Sequence, residues 1–87
     1  MVHMDLNDLH DGINRAVGDE LRAARARRGL TRPQLAEASG VAVSTIQRFE
    51  RAERSPDMHQ LFALCNALDI SPLEIMDRAV QLVKRSR

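Results

Sequence analysis

Apolar residues recur at intervals of three and four along almost the whole chain. The series Leu6, Leu9, Ile13, Ala16, Val17, Leu21 and Ala24 keeps that spacing, the mark of one buried helical stripe. Gly12 and Gly18 interrupt it, each costing about 1 kcal/mol against Ala inside a helix, so the pattern allows one long helix or two over residues 6–28. Gly29 ends the segment behind Arg27 and Arg28. A glycine suits the left-handed C′ position, and two cations suit a helix C-terminus. Thr31-Arg32-Pro33-Gln34 then supplies the N-cap, the early proline and the third helical residue of a capping box. It predicts a second helix running to about Ser39 and closed by Gly40. A third helix is expected over residues 43–51. Asp57-Met58-His59-Gln60 repeats the box spacing and opens a fourth, Met58 to Leu68. Ser71-Pro72-Leu73-Glu74 is the third such box and starts a last helix reaching about Lys84. The expected fold class is all-α.

Composition narrows this to one small domain. Eighty-seven residues are enough for a single modest core. Phe49 and Phe62 are the sole aromatics, so that core must be built from Leu, Val, Ile, Met and Ala. The one cysteine, Cys65, has no internal disulfide partner and lies in an apolar helical run. It reads as an inert buried thiol, as expected in a reducing compartment. No stretch approaches the roughly 20 apolar residues of a membrane span, and no signal-peptide pattern opens the chain. A cytoplasmic protein is expected. His3, His10 and His59 are scattered, with neither a metal-ligand spacing nor a nucleophile–base arrangement. An enzyme is therefore disfavoured, and no catalytic residue, metal or cofactor is expected.

Charge is nearly balanced overall, at +1, but unevenly spread. Residues 1–20 carry Asp5, Asp8, Asp11, Asp19 and Glu20 against Arg15 alone. Residues 21–56 carry eight arginines against Glu37, Glu50 and Glu53. Positive charge is thus concentrated on the middle of the chain, a distribution suited to phosphate contact.

The same middle segment, Leu30 to Pro56, places Leu35, Ala36, Val41, Ile46 and Phe49 where two crossed helices must touch, with polar and basic residues between them. That is the pattern of a helix-turn-helix whose second helix lies in the DNA major groove. Ile46 and Phe49 are expected to face the core. Val43, Ser44, Gln47 and Arg48 fall on the opposite side and are the candidate base readers. Gln pairs with adenine edges, Arg with guanine, Ser with either, and Val methyls meet a thymine methyl. Arg32, Gln34, Thr45, Arg51 and Arg54 are the candidate phosphate contacts, fixing register without reading sequence.

Residues 17–75 resemble the Cro/cI-type helix-turn-helix domain, the Xre family. The resemblance rests on Gly18, Leu21, Arg25, Gly29-Leu30-Thr31, Leu35-Ala36, Gly40-Val41, Ser44-Thr45-Ile46, Glu50-Arg51, Pro56 and the run Leu61, Leu64, Ala67-Leu68. It implies a five-helix Cro/cI repressor-like DNA-binding domain that binds operator DNA, commonly as a two-fold dimer, and usually represses transcription. Here that domain would carry an N-terminal helical extension over residues 1–16. The family pattern further implies a structural ion pair between Arg25 and Glu50. Four positions depart from it. Arg32 stands where the family usually has a glutamine opening the second helix. Ala42 replaces a polar N-cap, Val43 replaces a frequent glutamine or arginine, and Ala52 stands where a glycine is expected. Alanine tolerates a left-handed turn poorly, so the third helix is expected to run on or the turn to differ.

The last helix, residues 72–87, has two apolar stripes. Leu73, Met76, Val80 and Val83 form one, and Ile75, Ala79 and Leu82 the other. One stripe must cover the core. The second either packs against the N-terminal extension or meets a partner, most simply a second copy. Residues 1–4, MVHM, include a second candidate start at Met4. The leading functional expectation is a sequence-specific DNA-binding regulator in a bacterial cell, a repressor of phage-immunity or host type acting on the nucleoid. The alternative is an antitoxin that binds its own operator and a toxin, and an anti-repressor is another candidate protein partner. A pure protein-interaction module without DNA binding is the third class.

Overall fold

The computed structural model of the protein describes residues 5–85; the reading of residues 1–4, with His3 and Met4, falls outside them. Among the described residues there are five helices and no strand: α1 (Leu6–Arg27), α2 (Arg32–Ser39), α3 (Val43–Glu50), α4 (Met58–Leu68) and α5 (Pro72–Arg85).

α1 is one continuous helix of 22 residues, about 33 Å long at 1.5 Å per residue. Asp5 caps it, its carboxylate accepting the Asn7 N–H at 2.8 Å. The helix passes unbroken through both internal glycines, so the line drawn between residues 16 and 17 falls inside it. It packs against both α5 and α3, with Gly12 near Val83 of α5 and Gly18 against the end of α3. Gly18 marks the tightest approach: a Cβ there would lie 2.4 Å from the Phe49 carbonyl oxygen and 3.1 Å from that of Glu50. The glycine that weakens α1 locally is what lets the end of α3 come so near.

Helix ends follow local chemistry. At the end of α1, Gly29 takes φ 66°, with Gly29 N–H donating to Ala26 at 3.0 Å and Leu30 N–H to Arg25 at 3.1 Å, a Schellman turn. Thr31 and Gln34 close the capping box of α2 in both directions, at 3.2 and 2.9 Å. Asp57 and Gln60 do the same for α4, at 2.7 and 2.9 Å. The third expected box forms only in part. The Ser71 hydroxyl accepts from Leu73 N–H at 3.2 Å, and the Glu74 carboxylate turns instead toward Arg78.

The core is mostly aliphatic around one aromatic, Phe49, with Leu35, Ile46, Phe49, Leu64, Cys65, Leu68 and Ile75 its largest fully enclosed side chains. Burial pushes the Cys65 thiol up, which keeps it protonated and inert. The two stripes of α5 have different fates. Ile75 and Ala79 are buried, whereas Leu73, Met76 and Val80 remain 76%, 47% and 49% exposed. Met76 and Val80 border an apolar groove whose other walls are Leu9 and Ile13 of α1 and Pro56 and Met58 after α3.

Candidate nucleic-acid interface

α2, Gly40 and α3 form the helix-turn-helix. Gly40 ends α2 at φ 78°, and the Ser39 hydroxyl accepts the Val41 N–H at 3.1 Å, turning the chain so that Val41 enters the core at 7% exposure. α3 then presents two faces. Ile46, Phe49 and Glu50 point inward and are buried. Val43, Ser44 and Arg48 are exposed, and Thr45 and Gln47 half-buried. Ala42 occupies the N-cap with no side-chain hydrogen bond to the helix, so the first N–H groups of α3 lack the cap that a polar residue would supply.

The turn after α3 keeps the left-handed geometry despite lacking a glycine, which corrects the expectation of an extended helix or a different turn. α3 ends at Glu50, with Arg51 as its cap, and Ala52 takes φ 60°. Two hydrogen bonds hold it there: Ala52 N–H to the Phe49 carbonyl at 3.1 Å and Glu53 N–H to that of Arg48 at 2.8 Å. This Schellman pairing is strong enough to impose a conformation costing an L-residue about 1–2 kcal/mol. Arg51 and Arg54 therefore project from a closed turn, both exposed. The Ser55 hydroxyl donates to the Asn14 side-chain oxygen, tying this loop to the first half of α1. Arg48, Arg51 and Arg54 enter no ion pair among the described residues.

Behind the exposed face lies a charged cluster. Glu50, 5% exposed, accepts from Arg25 Nε at 2.8 Å and from Arg25 Nη2 at 3.0 Å. Arg25 Nη1 donates to the Leu30 carbonyl at 2.9 Å, so one side chain joins α1, the start of α2 and the end of α3. Arg32 completes the cluster, its Nε 3.0 Å from Glu50 Oε1. Burial alone would raise the Glu50 carboxyl. The hydrogen bonds and charges of Arg25 and Arg32 outweigh it and hold the group below its ordinary value of 4.5. Arg25 is raised in turn, chiefly by its hydrogen bond to Glu50.

Reading the sequence placed Arg32 at the surface and missed its bond to Glu50. The bond depends on how α2 crosses α3, which brings the first residue of α2 beside the Glu50 carboxylate. The Asn14–Ser55 contact had no comparable signal, because it joins residues far apart in the chain through two short polar side chains. Gln34 is partly committed, its Oε1 taken by Thr31 N–H in the capping box.

A sequence model of the helix-turn-helix family matches residues 21–75. The transcriptional regulator ClgR of Mycobacterium tuberculosis is 29% identical over 77 residues, covering 86% of this chain and 68% of that protein. Among solved structures, the clp gene regulator ClgR from Corynebacterium glutamicum superposes with a TM-score of 0.81 at 30% identity, over 85% of this chain and 79% of the other. The restriction-modification controller protein C.AhdI from Aeromonas hydrophila gives 0.69 at 34% identity, over 71% and 94%. With more than half its length matched by the family and its α2–turn–α3 unit built as described, the chain belongs to the Cro/cI-type helix-turn-helix family of DNA-binding transcription regulators.

Proposed function

We propose that the protein is a sequence-specific bacterial transcription regulator that places α3 in the major groove of an operator and represses by occupying it. The observation that carries this reading is the division of α3. Its inner face is anchored by Ile46 and Phe49, each 1% exposed. Its outer face offers Val43, Ser44, Gln47 and Arg48, a set able to meet thymine methyl, adenine and guanine edges. Arg32, Gln34, Thr45, Arg51 and Arg54 carry donors suited to phosphates. Repression by occupation needs no contact beyond these.

The protein acts as a two-fold dimer through the C-terminal helix. The exposed Leu73, Met76 and Val80 support this, since an apolar stripe of that kind is costly to leave in water. A toxin or anti-repressor seated on the same groove is the competing occupant. Selection of bound duplexes from random DNA tests both parts. A symmetric pair of half-sites about one helical turn apart is expected, roughly 34 Å between centres. An unselected pool overturns sequence-specific binding, and a lone half-site overturns the dimer.

A further inference from the structure

Glu50 holds two arginines that are committed to different degrees. Arg25 spends Nε and Nη2 on Glu50 and Nη1 on the Leu30 carbonyl, and its side chain is 16% exposed. Arg32 gives Glu50 only its Nε, at 3.0 Å, and its side chain is 36% exposed. Its two Nη groups have no protein partner among the described residues. A guanidinium fixed through Nε still offers its end-on pair of Nη groups, which match two oxygens of a phosphate. Because the ion pair already orders the side chain, less rotamer freedom is lost when a ligand arrives. The first residue of α2 also lies on the same helix-turn-helix unit as the exposed arginines that follow α3.

We propose that Glu50, locked by Arg25, is a positioning residue for DNA binding that holds Arg32 as a phosphate clamp. Glu50 thus acts as a buried anion that improves binding to a polyanion. The inference rests on the reading of α3 as the DNA-contacting helix. It is separable from the ordinary field argument by sign. Replacing Glu50 with glutamine removes one negative charge, so bulk electrostatics would tighten DNA binding, whereas loss of positioning weakens it.

The test is a salt titration of binding to a short mixed-sequence duplex, followed by fluorescence anisotropy, for the wild type, for Arg32→Ala, Arg32→Lys, Arg48→Ala and Glu50→Gln, and for the double variant Arg32→Ala with Glu50→Gln. Arg32→Ala leaves the Arg25–Glu50 pair in place and is expected to fold. It is expected to weaken binding and to reduce the slope of log affinity against log salt by about 0.9, the value for one phosphate. Arg32→Lys is expected to retain the slope yet bind less tightly than wild type, because an ammonium lacks the planar fork that serves carboxylate and phosphate together. Glu50→Gln is expected to weaken binding with Arg32 present and to change little in an Arg32→Ala background. If Glu50→Gln does not fold, the contrast between Arg32→Lys and Arg32→Ala decides alone. An unchanged slope and affinity in Arg32→Ala, wild-type affinity in Arg32→Lys, or tighter binding by Glu50→Gln each overturns the proposal. A wild-type protein that binds no duplex even at low salt overturns the DNA reading itself, and this inference with it. Normal wild-type binding that Arg48→Ala weakens and Arg32→Ala does not removes the clamp alone.

Discussion

Gly18 of α1 sits against the last turn of α3 so closely that a methyl group there would lie 2.4 Å from the Phe49 carbonyl oxygen. Two effects of Gly18→Ala oppose each other. Alanine favours the helix by about 1 kcal/mol, while overpacking against a backbone atom, which has no rotamer to change, costs about 1–3 kcal/mol or more. The steric term wins. Gly18→Ala is expected to lower stability, by up to about 2 kcal/mol or more, in a denaturant titration, and to weaken DNA binding by shifting α3. A stabilised variant would show that the crossing of α1 and α3 is looser than described.

Ala52 gives the opposite sign. It holds φ 60° without being glycine, and its turn is already closed by two hydrogen bonds. Ala52→Gly removes the Cβ conflict while leaving those bonds, against a smaller entropic cost in the unfolded chain. A gain of about 0.5–1 kcal/mol is expected, seen as a rise in thermal midpoint of several degrees for a domain of this size. A loss of stability would contradict the left-handed assignment.

The Glu50 cluster predicts how the fold responds to acid. Because the folded-state carboxyl is held below its ordinary 4.5, its stabilising contribution is complete above that value. It is lost as pH falls below 4.5 and through the folded-state pKa. Stability measured across this window should fall more steeply for the wild type than for Glu50→Gln, which has no proton to take up there. At neutral pH, Arg25→Ala leaves Glu50 with Arg32 alone, and a loss near 3 kcal/mol is expected, the lower end for a broken buried pair. Equal acid slopes in wild type and Glu50→Gln would show that Glu50 is not held in its charged form.

How far the sequence was legible depended on the range of the interactions involved. Helix starts at Thr31 and Asp57 and the stop at Gly29 were readable because caps form within four residues. The core side of α3 was readable from Ile46 and Phe49, which lie three apart. Whether α1 was one helix or two was not readable, since Gly18 is locally unfavourable and its compensation lies on another helix. Ala52 was misread for the same kind of reason: alanine alone disfavours the turn, but the bonds of Ala52 and Glu53 to Phe49 and Arg48 impose it. Ser71 and Glu74 matched a pattern whose second half Arg78 diverted. In the candidate site the outward face of α3 followed from helical periodicity, while the partner of Arg32 depended on the crossing of α2 and α3.

The central claim is that the exposed face of α3 reads base sequence. Its most direct test compares affinities for a duplex selected from random DNA and for a scrambled duplex, in the wild type, Gln47→Ala and Arg48→Ala. Each substitution is expected to relax preference at one base pair by about 1–3 kcal/mol, with the thermal midpoint unchanged because neither side chain enters the core. Full discrimination retained by both variants would contradict the account.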